Sequence, residues 1–353
     1  MTAFAAADPT TDLLAVTQGD PCGIGPEIVA RAALEPRGPI VVIGDPAVMR
    51  RAVRSIGGGL VVAALDEPGE AASVPARCLA VWAPPGLPDG LADLPMGRVD
   101  GRAGAAAARC IEAAARLALD GRVRGIVTAP IHKEALAAAG VPYPGHTEML
   151  QALAARSGAA PPVRMMLATP ALRVVLVSIH LSLRRAIDAV TFDAVLETIT
   201  ITDASLRAQG IAAPRVAVAG LNPHAGEAGL FGDEEQRIIG PAVQAARARG
   251  IQAAGPFAPD TVFMRAREAP GRPREFDVVV AMTHDHGLIP IKLEGLDAGV
   301  NVTLGLPFVR TSPDHGTAFD IAGTGRADAS SLKAAIAMAR ELSAPKRVRP
   351  TPT

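Results

Sequence analysis

Between His284 and Asp328 the chain reads HDHGLIPIKLEGLDAGVNVTLGLPFVRTSPDHGTAFDIAGTGRAD. This one stretch holds His284, Asp285, His286, Lys292, Asn301, Arg310 and His315, separated by small and turn-forming residues. So much polar chemistry in a single run framed by glycine is expected of a pocket wall rather than of a core. Lys292 stands out further, because the basic residues are overwhelmingly Arg and only Lys133, Lys292, Lys333 and Lys346 break that usage. Arginine keeps its proton at any working pH, whereas burial can tune a lysine to exchange one. Lys133 and Lys292 both lie in His-containing motifs, which makes them candidates for proton transfer, with chance retention as the bland alternative.

All seven His fall between positions 132 and 315. His180 (VSIHLSL), His224 (GLNPHAGE) and His284 (AMTHDHG) each follow a Val-rich run read as a strand, at 172–178, 214–219 and 276–282. In open α/β sheets, ligands sit at the carboxyl ends of the strands. Three imidazoles converging there would hold a divalent metal with an open coordination position, the arrangement of a catalytic site. Their spacing is no local metal signature, and each His taken singly is as readily a hydrogen-bonded structural residue. Imidazole donors suit zinc, cobalt, nickel or iron, and oxygen donors from a substrate would admit magnesium or manganese.

Other groups suggest an anion beside that metal. Arg310 in LPFVRTS can fork onto a carboxylate or phosphate. His146 and Thr147 in PGHTEML open an expected helix at 147–156, whose free N–H groups suit a negative charge. Thr147 serving only as an N-cap is the alternative. GDPCGIGPEI (19–28) is a Gly-rich strand-to-helix turn, but it is neither a dinucleotide fingerprint nor a Walker loop.

The elements that must position these groups alternate along the chain. Strands are expected at 12–17, 40–43, 79–82, 124–128, 172–178, 214–219 and 276–282, and helices near 26–35, 46–56, 102–120, 191–209, 233–249 and 329–342. That order predicts an α/β fold with largely parallel strands. The Pro/Gly-rich stretch 83–100 reads as a loop, and the tail 343–353 as disordered.

A length of 353 residues predicts about two domains. The 35 basic and 35 acidic residues balance, which argues against nucleic acid or an anionic membrane as the main partner. A lone Trp and a lone Tyr leave little for stacking on bases. No apolar run is long enough for a membrane span, and MTAFAAADPTTD lacks the basic start of a signal peptide. Three scattered Cys, at 22, 78 and 110, fit a reducing, cytoplasmic compartment.

Taken together, GDPCGIGPEI, TAPIHKEAL (128–136), PGHTEML (144–150), GLNPHAGE (220–227), GPFAPDTVF (255–263), HDHGLIPIK (284–292) and GVNVTLGLPFVRTSPDHGTAFDIAG (299–323) resemble the 4-hydroxythreonine-4-phosphate dehydrogenase (PdxA) family, in its order and over essentially the whole chain. DHGTAFDIAGTGRAD (314–328) is also similar to the adenosine-binding loop of isocitrate and isopropylmalate dehydrogenases. The resemblance implies an isocitrate/isopropylmalate dehydrogenase-like architecture, with two α/β domains flanking a cleft in a homodimer. One domain would join 1–145 to 305–353 and carry the cofactor loop. The other, 146–304, would carry the metal and substrate site and the dimer contact. Matched residue by residue, the metal ligands become His180, His224 and His284, the last arriving from the partner subunit. Substrate contacts fall on His146, Thr147, Lys292, Asn301 and Arg310. Lys292, with Asp285 or Asp260, would assist proton removal. His315, Gly316, Asp320 and Gly323 would bind the cofactor, NAD or NADP.

The implied reaction is metal-dependent oxidation of a secondary alcohol with loss of CO2 from the 3-oxo acid. Two positions depart from the family's pattern: His286 replaces a usual Gln, and Thr283 stands where Tyr is common. They adjoin a proposed ligand and bear on the substrate. 4-Hydroxythreonine 4-phosphate ranks first, D-threonate and D-erythronate 4-phosphates next, and the cis-dihydrodiol of terephthalate a distant third. A redox-silent zinc aldolase and a sugar-phosphate sensor are the competing classes. The 314–328 loop argues against the first, and the lack of a spare DNA-binding or signalling segment against the second.

Overall fold

The computed structural model describes residues 12–35, 38–155, 158–295 and 299–344, and the expected disordered tail lies, from 345 on, outside them. The chain divides into two compact units, with breaks after Pro161 and after Gly305. In the first unit the order is β1 (Leu14–Thr17), α1 (Gly25–Ala33), β2 (Ile40–Ile43), α2 (Pro46–Ser55), β3 (Val61–Leu65), β4 (Cys78–Trp82), α3 (Gly101–Leu119), β5 (Gly125–Thr128), α4 (Lys133–Ala138) and α5 (His146–Ala154). The second unit holds β6 (Arg164–Ala168), β7 (Arg173–Leu176), α6 (Leu183–Asp188), α7 (Phe192–Ala208), β8 (Val216–Ala219), α8 (Gly240–Ala248), β9 (Ala253–Phe257), α9 (Val262–Ala266), β10 (Val278–Ala281), α10 (His284–Lys292) and β11 (Val300–Leu304). The chain then returns to the first unit with β12 (Val309–Pro313) and α11 (Ser330–Ser343).

The strands of the first unit run β3-β4-β2-β1-β5-β12, every pair parallel. LAVT and GIVT, buried at every residue, form its centre, as expected of strands covered on both faces. Each fully buried Leu, Ile or Val stabilises by about 1.5–3 kcal/mol. Helix starts are fixed by sequence: Asp45 accepts from Ala47 N at 2.6 Å, and Asp100 from Arg102 N at 2.8 Å. Such caps contribute about 1 kcal/mol each. In the second unit the order is β11-β6-β7-β10-β8-β9, antiparallel across β11, β6 and β7 and parallel from β7 to β9. Its core gathers Leu172, Val174, Leu176, Val279 and Ala281 against Leu288 and Ile291 of α10.

The α/β expectation therefore holds, and the expected strands are present. Two boundaries differ. The first break comes after α5 rather than before it, because α5 packs on α3, which places His146 and Thr147 in the first unit. The helix expected over 233–249 is a π-turn, Glu235–Ile239, followed by α8. The 83–100 loop is pinned: Arg51 donates to Ala92 O (2.8 Å), Leu94 O (3.0 Å) and Pro21 O (2.5 Å).

Candidate active site

In the second unit, β7, β10 and β8 are adjacent and parallel, with Val174 opposite Val279 and Val278 opposite Val216. The loops leaving their carboxyl ends carry His180, His284 and His224, so the sheet order itself brings the three motifs to one edge. His180 and His284 are neighbours, with ring centroids 5.7 Å apart. With metal–nitrogen bonds of about 2 Å, two imidazoles of one tetrahedral site stand roughly 5–6 Å apart at their centroids. His224 does not join them. Among the described residues no three His, Cys, Asp or Glu come close enough within one chain to hold a metal. The donor chemistry fits a divalent ion at His180 and His284, one imidazole short of a three-donor set.

Local sequence explains how His284 is held. Gly287 lets α10 lie on β7, since a Cβ there would meet Leu176 Cδ2 at 2.4 Å. Asp285 Oδ1 lies 2.7 Å from His284 Nδ1. A carboxylate at Nδ1 fixes the ring and leaves Nε2 as the donor. Asp285 is thus engaged with His284 rather than with Lys292, which is two helical turns further along α10. Lys133 and Lys292 are both exposed. Asn301 is half-buried on β11, opposite Leu167.

His224 opens a run of left-handed backbone, with φ from +43° to +79° at His224 through Ala228. That conformation costs roughly 1–2 kcal/mol per non-glycine residue. The loop's frame is Glu235, whose Oε1 accepts from Leu221 N at 2.7 Å and Asn222 N at 2.8 Å. Burial pushes the Glu235 carboxyl up, but hydrogen bonds from Asn222 and the backbone outweigh it and hold the group below its ordinary range. His224, Asp260 and His286 line a cavity of about 350 Å³ with Leu221, Pro223 and Pro259. Among the described residues the Nδ1 of His286 has no partner, and it is buried.

The first unit builds a different site. Arg310, 4% exposed, points its Nε and Nη2 at Thr128 Oγ1, at 3.2 and 2.8 Å. Burial lowers its pKa to about 10, against the pull of Glu148, so it stays charged at neutral pH. Next to it, burial and then the Arg310 charge hold His146 well below the usual histidine range. Its Nε2 is enclosed without a partner. A fixed cation beside a neutral imidazole at a helix start is a binding corner for an oxyanion. Gly145 is the N-cap of α5, so Thr147 lies inside the first turn and is not the cap, with Glu148 beside it.

Loop 314–328 is anchored to the Gly-rich turn, through Ile24 N to Thr317 O (3.0 Å) and Ala327 N to Glu27 Oε1 (2.9 Å). His315, Gly316, Asp320 and Gly323 lie exposed along it. Sequence reading passed over Asp20, His132 and Glu235. Phe319 of the loop stacks on His132 at 4.6 Å, and the Nδ1 of His132 and Oδ2 of Asp20 are buried without partners. Burial raises the Asp20 carboxyl above its ordinary value, with the hydrogen bond from Cys22 opposing. The signal was present: Asp20 and His132 sit inside two motifs already singled out, each just past a strand.

A family model described as pyridoxal phosphate biosynthetic protein PdxA matches residues 37–339. A 4-hydroxythreonine-4-phosphate dehydrogenase of Beijerinckia indica is 53% identical over 344 residues, covering 94% of this chain and 95% of its own. A D-threonate 4-phosphate dehydrogenase of Salmonella typhimurium is 46% identical, covering 94% and 99%. The crystal structure of a 4-hydroxythreonine-4-phosphate dehydrogenase from Klebsiella pneumoniae superposes with a TM-score of 0.85 at 44% identity, covering 94% of this chain and all of that one.

Proposed function

This chain belongs to the PdxA family of dehydrogenases, and we propose that it oxidises the secondary alcohol of 4-hydroxy-L-threonine 4-phosphate, passing hydride to NAD. The resulting 3-oxo acid loses CO2 to leave 3-amino-2-oxopropyl phosphate, a step of pyridoxine 5'-phosphate synthesis in the cytoplasm. The observation that carries the reading is the enclosed Arg310–Thr128–His146 corner, which suits a phosphate or carboxylate end of the substrate.

Each residue then has a role. Arg310 supplies the fixed charge, oriented by Thr128, and neutral His146, whose N–H is directed to the Ala129 backbone, leaves Nε2 to accept from a substrate hydroxyl. Thr147 adds its place in the first turn of α5. Lys292, with Asp260, takes the alcohol proton, and Asn301 orients the carbon skeleton. Asp285 fixes the His284 ring. His315, Gly316, Asp320 and Gly323 hold the adenosine end of the cofactor, NAD in preference to NADP. A divalent metal at His180, His224 and His284, zinc first and cobalt, magnesium or manganese after it, would supply Lewis acidity toward the hydroxyl. One of those imidazoles comes from a second copy of the chain. Exposed Ile179, Leu181, Leu183 and Ile187 flank His180, and exposed Ile289 and Leu293 follow His284, an apolar rim suited to that contact.

D-Threonate or D-erythronate 4-phosphate is the second reading, favoured by the 46% identity to the Salmonella enzyme and by His286 in the His224 cavity. NADH formation by the purified protein on these three substrates, each with and without chelator, separates the readings. Chelator-sensitive turnover of the amino acid supports the first, and turnover confined to the sugar acids moves the chain to the second. No NAD or NADP reduction with any of them would sink both.

A further inference from the structure

The left-handed run His224–Ala228 is a strained segment, since four of its five residues are not glycine. Its own backbone bonds, Ala225 N to Asn222 O (3.1 Å) and Phe231 N to Gly226 O (3.1 Å), are backed by side chains that hold the residues before it, chiefly Glu235, thirteen residues beyond Asn222. Besides the two amides on Oε1, Glu235 Oε2 accepts from Asn222 Nδ2 at 3.0 Å, and Glu234 Oε2 accepts from the same nitrogen at 2.6 Å. The backbone closes around the carboxylate. A Cβ at Gly220 would stand 3.0 Å from Oε1, and one at Gly226 would stand 2.7 Å from Oε2. Glu235 is buried and is the first residue of the π-turn Glu235–Ile239, the irregularity that replaced the expected start of a regular helix. Such turns re-aim side chains and concentrate at functional sites.

We infer that Glu235 is a positioning residue for His224: its carboxylate locks Leu221 and Asn222, and through them the left-handed turn that presents the imidazole to the cavity shared with Asp260 and His286. It touches no reacting atom. The inference deepens the proposed function, because it rests on His224 being a metal donor. Orienting groups of this kind typically change metal affinity by about 10- to 100-fold when removed.

The test uses the full chain, stripped of metal and titrated with Co²⁺ by visible absorption, for wild type, Glu235→Ala, Glu235→Gln and His224→Ala. Thermal melts and amide exchange at Leu221 and Asn222 are recorded on the metal-free proteins. Glu235→Ala is expected to weaken Co²⁺ binding by about 10- to 100-fold and to speed exchange at both amides. Glu235→Gln keeps an amide oxygen for the backbone donors but puts an NH2 where Oε2 accepts from Asn222, so a smaller loss of both is expected, and if Glu235→Ala does not fold, wild-type Co²⁺ affinity and amide exchange in Glu235→Gln overturn the inference. Wild-type Co²⁺ affinity in both Glu235 variants, with His224→Ala having lost it, would overturn the inference whatever the melts show. If His224→Ala binds Co²⁺ as tightly as wild type, the metal assignment of His224 fails. Amide exchange then decides alone whether Glu235 locks the loop, and unchanged exchange overturns that too.

Discussion

The two units treat their polar groups in opposite ways. In the first, Arg310, His146, Asp20 and His132 are enclosed or have enclosed atoms, and Arg310 and His146 meet within one chain. In the second, His180 and His224 are exposed, His284 is half-exposed, and the donors gather as a pair and a single. Among the described residues, large exposed apolar side chains follow the same division: Leu34, Val61 and Val99 in the first unit, against ten in the second that include Leu183 at 69% and Leu293 at 82%. A self-contained anion corner needs nothing further to bind. An open imidazole edge with leucine and isoleucine exposed beside it is where the proposed second copy would dock.

That contrast is broken most severely by charging the rim. Leu183→Glu with Leu293→Glu places carboxylates where the second copy is expected to dock. Sedimentation should show a monomer, and turnover should fall by more than about 100-fold, as expected when a metal site loses a ligand. The first unit's nucleotide affinity should be unchanged. A double variant that is monomeric yet fully active would show that the open edge is complete without a partner, and one that stays dimeric and active would show that this rim is not the contact.

Next in size is the anion corner. Arg310→Lys keeps a positive charge but loses the fork that Thr128 orients. Losing a charge-assisted hydrogen bond costs about 1.5–3 kcal/mol, so KM for a phosphorylated substrate should rise roughly 10- to 100-fold, with kcat much less affected. A fall in kcat at constant KM would place Arg310 with the reacting centre instead.

Much of this was legible in the chain because strand periodicity and strand-end motifs are local signals. VVVA, VAVA and RVVL announce parallel strands, and the His that follows each is then placed by topology alone. What stayed hidden depends on tertiary context. Helix α10 is not among the expected elements, since Gly287 and Pro290 are poor helix formers, yet Gly287 is what allows it to pack on β7. Strands β11 and β12 are not among the expected elements because Asn301, Thr303 and Arg310 interrupt their apolar runs. Glu235 was invisible because its partners are backbone amides thirteen and fourteen residues away. Nor could local pattern show which His would pair within one chain.

A smaller effect tests the enclosure of His146 directly. The folded chain holds this imidazole neutral, by burial first and then by Arg310, whereas the unfolded chain protonates it near 6.5. Above that pH neither state binds the proton and His146 contributes no pH dependence. Below it the unfolded chain takes up a proton that the folded chain refuses, so stability falls as pH drops towards the depressed folded value. His146→Asn should flatten the wild-type decline in Tm between about pH 7 and 5. Parallel curves for the two proteins would mean that His146 is open to solvent.

The smallest expected change is at Asp20, and its sign is opposite. Burial raises this carboxyl above its ordinary 3.8 in the folded chain. Its contribution to stability is therefore fully present below the unfolded value and is lost as pH rises through the folded one. Asp20→Asn preserves an oxygen to accept from Cys22 N, now at 2.8 Å, and cannot ionise. The new amide nitrogen adds a buried donor, but that cost does not vary with pH, so the informative quantity is the slope. The difference in Tm, variant minus wild type, should become more favourable to the variant from pH 4 to pH 7. If NAD is then added at saturating concentration, a ligand donor meeting Asp20 Oδ2 would favour the wild type and shrink that difference, because anything binding the folded chain stabilises it by mass action. A difference that ignores both pH and NAD would make Asp20 an ordinary turn residue, and would leave the first unit's enclosure confined to the Arg310–His146 corner.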